Sequence, residues 1–174
     1  MKAVIIPESD MQFGEYEEEQ VFQLEKSNQY TKKLRPNGIK SCEFILRRGN
    51  KLYFVEAKKS CPKQIRANTS EEKKIKYREY ISDIALKMRH SLALYSNILL
   101  ERYDADGMSK LLNQKDLSEL EIRLVLVIKN AEKDWLAPFQ DVFRNVLQDE
   151  LRIWRIPEFS IINEEIARSK QFII

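Results

Sequence analysis

Residues Ile122–Ile128 form an apolar run that only Arg123 interrupts. A run of this kind is typical of a strand buried on both faces, as in parallel sheets that are covered by helices. An amphipathic segment follows, which we expect Asp134 to cap as a helix, and a further strand is predicted over Leu151–Ile156. Because parallel neighbours need a crossover connection, the strand–helix–strand order over residues 122–156 predicts a right-handed crossover in an α/β fold.

A hairpin and a long helix precede this unit. Two strands are predicted over Ile39–Arg48 and Lys51–Ser60, around a turn at Gly49-Asn50. Glycine in the first of the two central positions suits a type II′ hairpin turn. Residues Glu71–Arg102 then carry apolar side chains at spacings of three and four, which indicates an amphipathic helix. We therefore expect antiparallel and parallel strands in the same fold.

The two ends of the chain complete the predicted order. Val4–Ile6 is a short strand candidate that the following proline would end. Residues 15–34 can be interpreted as an amphipathic helix, which we favour, or as a weakly alternating strand over Val21–Glu25. A short helix is expected within Ile162–Arg168. The order helix, hairpin, helix, strand, helix, strand predicts one domain over residues 1–174, an α/β sandwich with a mixed central sheet flanked by helices.

The composition limits both the chemistry and the compartment. The single histidine, His90, excludes zinc hydrolases that use several histidine ligands, so any metal has to be held by carboxylates. Two cysteines, Cys42 and Cys61, are too few for a four-thiolate zinc site or a disulfide framework. We therefore expect a reducing, cytoplasmic compartment. No apolar run approaches the roughly 20 residues of a membrane-spanning helix, so no membrane association is expected.

The charges are strongly segregated along the chain. Residues 1–30 carry two basic and seven acidic side chains, whereas residues 31–78 carry fifteen basic and four acidic ones. The strongly basic segment over residues 31–78 would attract the phosphate backbone of a nucleic acid. A solvated, lysine-rich surface would have the same composition. The residues expected to contact nucleic acid lie from the end of the second hairpin strand to the start of the long helix: Lys59, Lys63, Arg66, Lys73, Lys74 and Arg78.

The hairpin is also expected to bring acidic side chains together. With the turn at its predicted place, Glu43 faces Glu56, and Lys58 leaves the same face of its strand as Glu56. Two carboxylates directly opposite each other destabilise a sheet. Mg²⁺ or Mn²⁺ would offset that repulsion, since Mg²⁺ binds one or two carboxylates together with waters and phosphate oxygens. Glu18 or Glu25 could supply a further carboxylate, and an exposed salt-bridged cluster is the alternative interpretation.

The spacing of Glu43 and, thirteen residues later, Glu56-Ala57-Lys58, in an apolar hairpin before a long helix, resembles the PD-(D/E)xK nuclease superfamily. That superfamily includes restriction endonucleases and Holliday-junction resolvases. The resemblance spans residues 15–100, and the later strand–helix–strand unit agrees with the family's αβββαβ core. It implies a restriction endonuclease-like fold and a hydrolase that cleaves phosphodiester bonds with Mg²⁺ or Mn²⁺. It also implies that Glu43 and Glu56 bind the metal, that Lys58 is the catalytic lysine, and that Glu18 or Glu25 is an extra ligand.

Three functions remain open at this point. The first is a nuclease acting on nucleic acid, DNA rather than RNA, with a homodimer or a larger complex supplying specificity because so short a chain has little room for a recognition domain. The second is a catalytically inactive domain of the same fold that binds nucleic acid or a protein. The second is favoured by Glu43, which follows Cys42 where the family usually has aspartate. The third is a helical interaction module built around residues 71–102, which leaves the paired carboxylates unexplained.

Overall fold

The computed structural model describes residues 2–114 and 116–174. The strands and helices of that part follow in this order: β1 Ala3–Glu8, β2 Met11–Glu17, β3 Val21–Phe22, β4 Phe44–Arg48, β5 Lys51–Lys58, α1 Glu71–Leu99, β6 Glu121–Ile128, α2 Lys133–Val146, α3 Gln148–Ile153, β7 Phe159–Asn163 and α4 Glu164–Ser169. Four short helical turns separate β3 from its neighbours: Glu18–Gln20, Leu24–Lys26, Tyr30–Leu34 and Arg35–Asn37.

Five strands form one mixed sheet in the order β3-β4-β5-β6-β7. Strand β4 is antiparallel to both of its neighbours, β3 and β5, whereas β5, β6 and β7 run parallel. Helix α1 connects β5 to β6, and helices α2 and α3 connect β6 to β7, as parallel neighbours require. Strands β1 and β2 form a separate two-stranded antiparallel sheet. The predicted α/β class with a mixed sheet and flanking helices is confirmed.

The hairpin of β4 and β5 has the predicted register. Arg48 pairs with Lys51 and Ile45 pairs with Phe54. Gly49 has a φ of 58°, in the left-handed region that glycine adopts without a steric penalty. The turn therefore sets which residues of the two strands face each other.

The five-stranded sheet is covered on both faces. On one face lies α1, whose buried side chains pack on the sheet; among these contacts, the rings of Tyr95 and Phe54 meet edge to face with centroids 5.7 Å apart. On the other face lies the β1–β2 sheet, where Phe13 packs edge to face on Phe44 at 5.3 Å. Buried α1 residues follow the predicted stripe: Ile81, Ile84, Met88, Leu92 and Tyr95. The side chains of β4 and β5 therefore alternate between a helical and a stranded layer.

The helix favoured over residues 15–34 is wrong: this segment contains the end of β2, all of β3 and short helical turns. Val21 and Phe22 explain the difference. A helical interpretation places both on one face, but Val21 packs toward the β1–β2 sheet and Phe22 toward α1. In a strand, successive side chains point to opposite faces of the sheet. Both positions are apolar because α1 covers one face of the sheet and the β1–β2 sheet covers the other.

The strand predicted over Leu151–Ile156 is also wrong. Helix α3 occupies its first half, and the backbone N–H groups of Leu151 and Trp154 donate to the carbonyls of Leu147 and Glu150. Leu151 and Trp154 both pack on the core, while Ile153 between them is 77% exposed. This three-residue spacing of the side chains that pack on the core is typical of a helix. The predicted parallel pair is nonetheless present, with β7 in place of that segment.

Several predicted boundaries shift by a few residues. A proline is tolerated in the interior of β1 because this strand belongs to a two-stranded sheet and has an edge without partners. The changes are these: β1 extends through Pro7 to Glu8, β4 begins at Phe44 rather than Ile39, β5 ends at Lys58 rather than Ser60, α1 ends at Leu99 rather than Arg102, and Glu132 rather than Asp134 is the N-cap residue of α2.

Among residues 2–114 and 116–174, no helix is both long and apolar enough to span a membrane.

Candidate active site

Glu43 and Glu56 lie together where the hairpin meets α1. The backbone N–H of Glu43 donates to the carbonyl of Val55 at 3.0 Å, which continues the hairpin contacts beyond the start of β4. Glu56 lies on the face of β5 that also carries Phe54 and that α1 covers. Glu56 is completely buried and Glu43 is 9% exposed. The structure thus brings the two predicted carboxyl groups to one place and removes them from solvent.

Two lysine side chains meet these carboxyl groups. Lys87, from the middle of α1, places Nζ 2.8 Å from Oε1 of Glu56 and 3.4 Å from Oε1 of Glu43. Lys58 places its own Nζ 2.9 Å from the same Glu56 oxygen. The other oxygen of Glu56, Oε2, is buried and has no hydrogen-bond partner in the described part of the chain. An unsatisfied buried oxygen costs about 1–3 kcal/mol, so Oε2 of Glu56 could accept a further partner that the described residues do not supply.

A second acidic group holds Lys58 from the other side. Oδ2 of Asp83 lies 3.9 Å from Nζ of Lys58, and the same carboxylate forms a close ion pair with Lys40. Asp83, Lys87 and Ser91 are spaced four residues apart, so they form a polar stripe along α1 beside its apolar stripe. The hydroxyl of Ser91 donates to the carbonyl of Lys87 at 2.7 Å. The stripe therefore faces the polar end of the hairpin.

Burial dominates the electrostatics of the site. It raises the pKa of Glu43 to about 9, helped by a hydrogen bond with Glu25 and by the charge of Glu56, and opposed by Lys87. Burial also raises the pKa of Glu56, against the opposing effect of both lysines. The pKa of Lys87 lies above its usual range because the two carboxylates outweigh its own burial. Burial thus disfavours the charged forms of both carboxyl groups, whereas Lys87 and Lys58 favour them, as a bound metal ion would.

Glu25 belongs to the site, although it lies on a short turn rather than on the predicted helix. It shares with Glu43 a pocket of about 280 Å³ that opens beside the Leu24–Lys26 turn. Lys26 and Arg35 also line this pocket. The pocket gives the side chain of Glu43 access to solvent, whereas Glu56 does not line the pocket and is completely buried.

Glu18 lies elsewhere: its carboxylate pairs with Lys2 at 3.6 Å, and both side chains are exposed. No group of three or more His, Cys, Asp or Glu side chains arranged to hold a metal ion is found over residues 2–114 and 116–174. Glu43 and Glu56 nevertheless offer hard oxygen donors, one of which is the unpartnered Oε2 of Glu56. Since Mg²⁺ needs only one or two protein carboxylates, this pair fits such a cation.

The residues expected to contact nucleic acid divide into two groups. Lys59 pairs with Asp10 at 2.6 Å and Lys74 pairs with Glu71 at 2.7 Å. The other four are exposed, in the segment that joins β5 to α1 or in the first turns of α1: Lys63, Arg66, Lys73 and Arg78. Lys58 ends β5, so this exposed basic segment begins directly beside the carboxylate site.

Sequence reasoning missed Lys40, Asp83, Lys87 and Ser91. The one available indication was the spacing of four between charged residues on the flank of the apolar stripe of α1. A scan against protein-family models and searches of curated proteins and of solved structures found no match for this chain. What the site does is therefore inferred from its own geometry, which combines two buried carboxyl groups, an unsatisfied oxygen and two ammonium groups.

Proposed function

We propose that this protein is a metal-dependent nuclease that hydrolyses phosphodiester bonds in nucleic acid, with DNA as the preferred substrate and Mg²⁺ or Mn²⁺ as cofactor. The observation that carries the proposal is the completely buried carboxyl group of Glu56, which has one oxygen without a partner and lies beside a second carboxyl group. Buried charges of this kind cost stability and concentrate at functional sites. The order of Glu43 and Glu56-Ala57-Lys58 adds the resemblance to PD-(D/E)xK nucleases, with whose core the mixed sheet is compatible.

The residues of the site divide the work of phosphodiester hydrolysis. Glu43 and Glu56 would hold the cation, and Glu25 could supply a further carboxylate from the side of the pocket. The cation supplies positive charge that stabilises the negative charge developing on the phosphoryl oxygens. Lys58, which is 27% exposed, is the ammonium group that can hold the phosphate or orient the attacking water. Asp83 and Glu56 on either side of Lys58 keep this group in position.

The exposed basic residues after β5 provide the phosphate contacts. Lys63 and Arg66 precede α1, and Lys73 and Arg78 lie in its first turns. Such contacts position a nucleic acid without reading its sequence. A second copy of the chain or another partner would then supply specificity.

A second candidate function rests on the position of Lys87. Its ammonium group contacts both Glu43 and Glu56, so it satisfies part of their charge without a metal. This contact favours a catalytically inactive domain of the nuclease fold that binds nucleic acid or a protein. The two functions differ in whether a divalent cation is needed.

Cleavage of a labelled substrate panel distinguishes the two functions. We expect the full chain to cut at least one of single-stranded DNA, double-stranded DNA, a branched DNA junction and RNA when Mg²⁺ or Mn²⁺ is present. We expect EDTA to abolish cleavage, because the buried carboxylates alone provide no positive charge for the phosphoryl oxygens. Gel electrophoresis of the products across size-exclusion fractions shows whether the activity elutes with the chain. Metal-independent binding without cleavage of any substrate would contradict the nuclease and support the inactive domain.

A further inference from the structure

Lys87 is placed where a positive charge acts on both candidate metal ligands. Its side chain extends from the middle of α1 into the interior and is only 16% exposed. Nζ is 2.8 Å from Glu56 but 3.4 Å from Glu43, so the second contact is the weaker one. A lysine is seldom buried to this extent unless it is paired, and here it is paired with the same two carboxyl groups that would bind a metal.

We infer that Lys87 is a built-in cation that competes with a divalent metal ion for Glu43 and Glu56, and that it thereby sets the metal affinity of the site. The inference rests on the proposed function for the class of ligand, a hard divalent cation held by carboxylates. The ammonium of Lys87 pairs with the carboxylates when no metal is bound and gives way at Glu43 when a metal binds. Glu56 can bind the ammonium group and the metal ion at the same time. Lys87 contacts its Oε1 atom, whereas its Oε2 atom has no partner among the described residues.

Charge repulsion is the physical reason for this competition. Lys87 and Lys58 already bring two positive charges to Oε1 of Glu56. A divalent cation that joined them would meet both ammonium groups at short range, in surroundings that screen charge poorly. Removal of Lys87 leaves two carboxyl groups and a single lysine, which is a stronger site for a divalent cation. A lysine with a purely structural role would instead stabilise the fold without affecting metal affinity.

Calorimetric titration of the full chain with Mn²⁺ alone measures the metal affinity and tests the inference. We expect Lys87→Met to bind Mn²⁺ at least about tenfold more tightly than wild type, because a neutral side chain of similar length no longer opposes the metal. Lys87→Arg keeps the charge and should bind no more tightly than wild type. The double variant Lys87→Met, Glu56→Gln should lose the gain. Lys76→Met, which removes an exposed lysine of the same helix, is the matched control and should bind like wild type.

The outcomes separate this inference from the proposed function. Equal Mn²⁺ affinity of Lys87→Met and wild type would overturn it, as would a gain that persists after Glu56→Gln. Lys87→Met could also fail to fold without metal. In that case, refolding in Mn²⁺ but not in EDTA-treated buffer supports the inference, because the metal then replaces the lost charge. Failure to refold at any Mn²⁺ concentration overturns it. Gain of affinity in a protein that cuts nothing would refute the nuclease alone, whereas a metal-dependent nuclease with unchanged affinity would refute the competition alone.

Discussion

Replacement of Lys87 by methionine is expected to lower the free energy of unfolding by about 3 kcal/mol in metal-free buffer. Among the residues that the structure describes, the change leaves the completely buried carboxylate of Glu56 with Lys58 as its one remaining ammonium partner. Breaking a buried ion pair from one side is costly because the other charge remains in the interior. Urea denaturation in EDTA, analysed by linear extrapolation, measures the loss.

A double-mutant cycle with Glu56→Gln shows whether the loss comes from this pair. We expect the double variant to lose less stability than the sum of the single variants, by at least about 1 kcal/mol, since neither charge is then left alone. The exposed pair of Lys76 and Glu72 on the same helix is the control. Its substitution should change stability by less than about 1 kcal/mol. Additive effects of Lys87→Met and Glu56→Gln would show that the two side chains are not energetically coupled.

Replacement of Lys58 by alanine is expected to lower the rate of metal-dependent cleavage by about 10²–10⁴-fold. Lys58 is the lysine of the site with the greater access to solvent, and it can therefore reach a phosphate or an attacking water. Because it is partly exposed, its loss should affect stability less than the loss of Lys87. Single-turnover cleavage at saturating Mg²⁺ measures the chemical step.

Lys129 provides a closely matched control for Lys58. Lys129 directly follows β6, and its backbone N–H donates to the carbonyl of Lys58, the last residue of β5, at 2.9 Å. The side chain of Lys129 instead donates to the carbonyl of Asp10 at 2.8 Å, away from the carboxylate site. We expect Lys129→Ala to cleave within about threefold of wild type, as a surface change outside the site should. Equal losses in Lys58→Ala and Lys129→Ala would remove Lys58 from the chemistry.

The hairpin half of the site could be predicted because strand register follows from the turn. Once Gly49-Asn50 is the turn, the pairing of two antiparallel strands and the alternation of side chains place Glu43, Glu56 and Lys58 on one face. The helix half could not be predicted in the same way. Lys87 reaches Glu56 only because α1 lies on the sheet with a particular rotation about its axis, which depends on long-range packing rather than on local pattern.

The N-terminal segment shows a related limit. Val21 and Phe22 are adjacent apolar residues, which suit one face of a helix as well as a strand covered on both sides. The choice depends on two layers, the β1–β2 sheet and α1, that come from other parts of the chain. Glu25 reaches the site even so, because the turn after β3 places it in the pocket that Glu43 lines.

A crystal of the wild-type protein grown with saturating Mn²⁺, and measured for anomalous scattering, tests the central claim most directly. We predict an anomalous peak at the carboxylates of Glu43 and Glu56, with the ammonium group of Lys87 moved away from Glu43. The unpartnered Oε2 of Glu56 is the atom that should gain a neighbour. Absence of a peak at these carboxylates, with Lys87 still in contact with both, would contradict a metal-dependent active site.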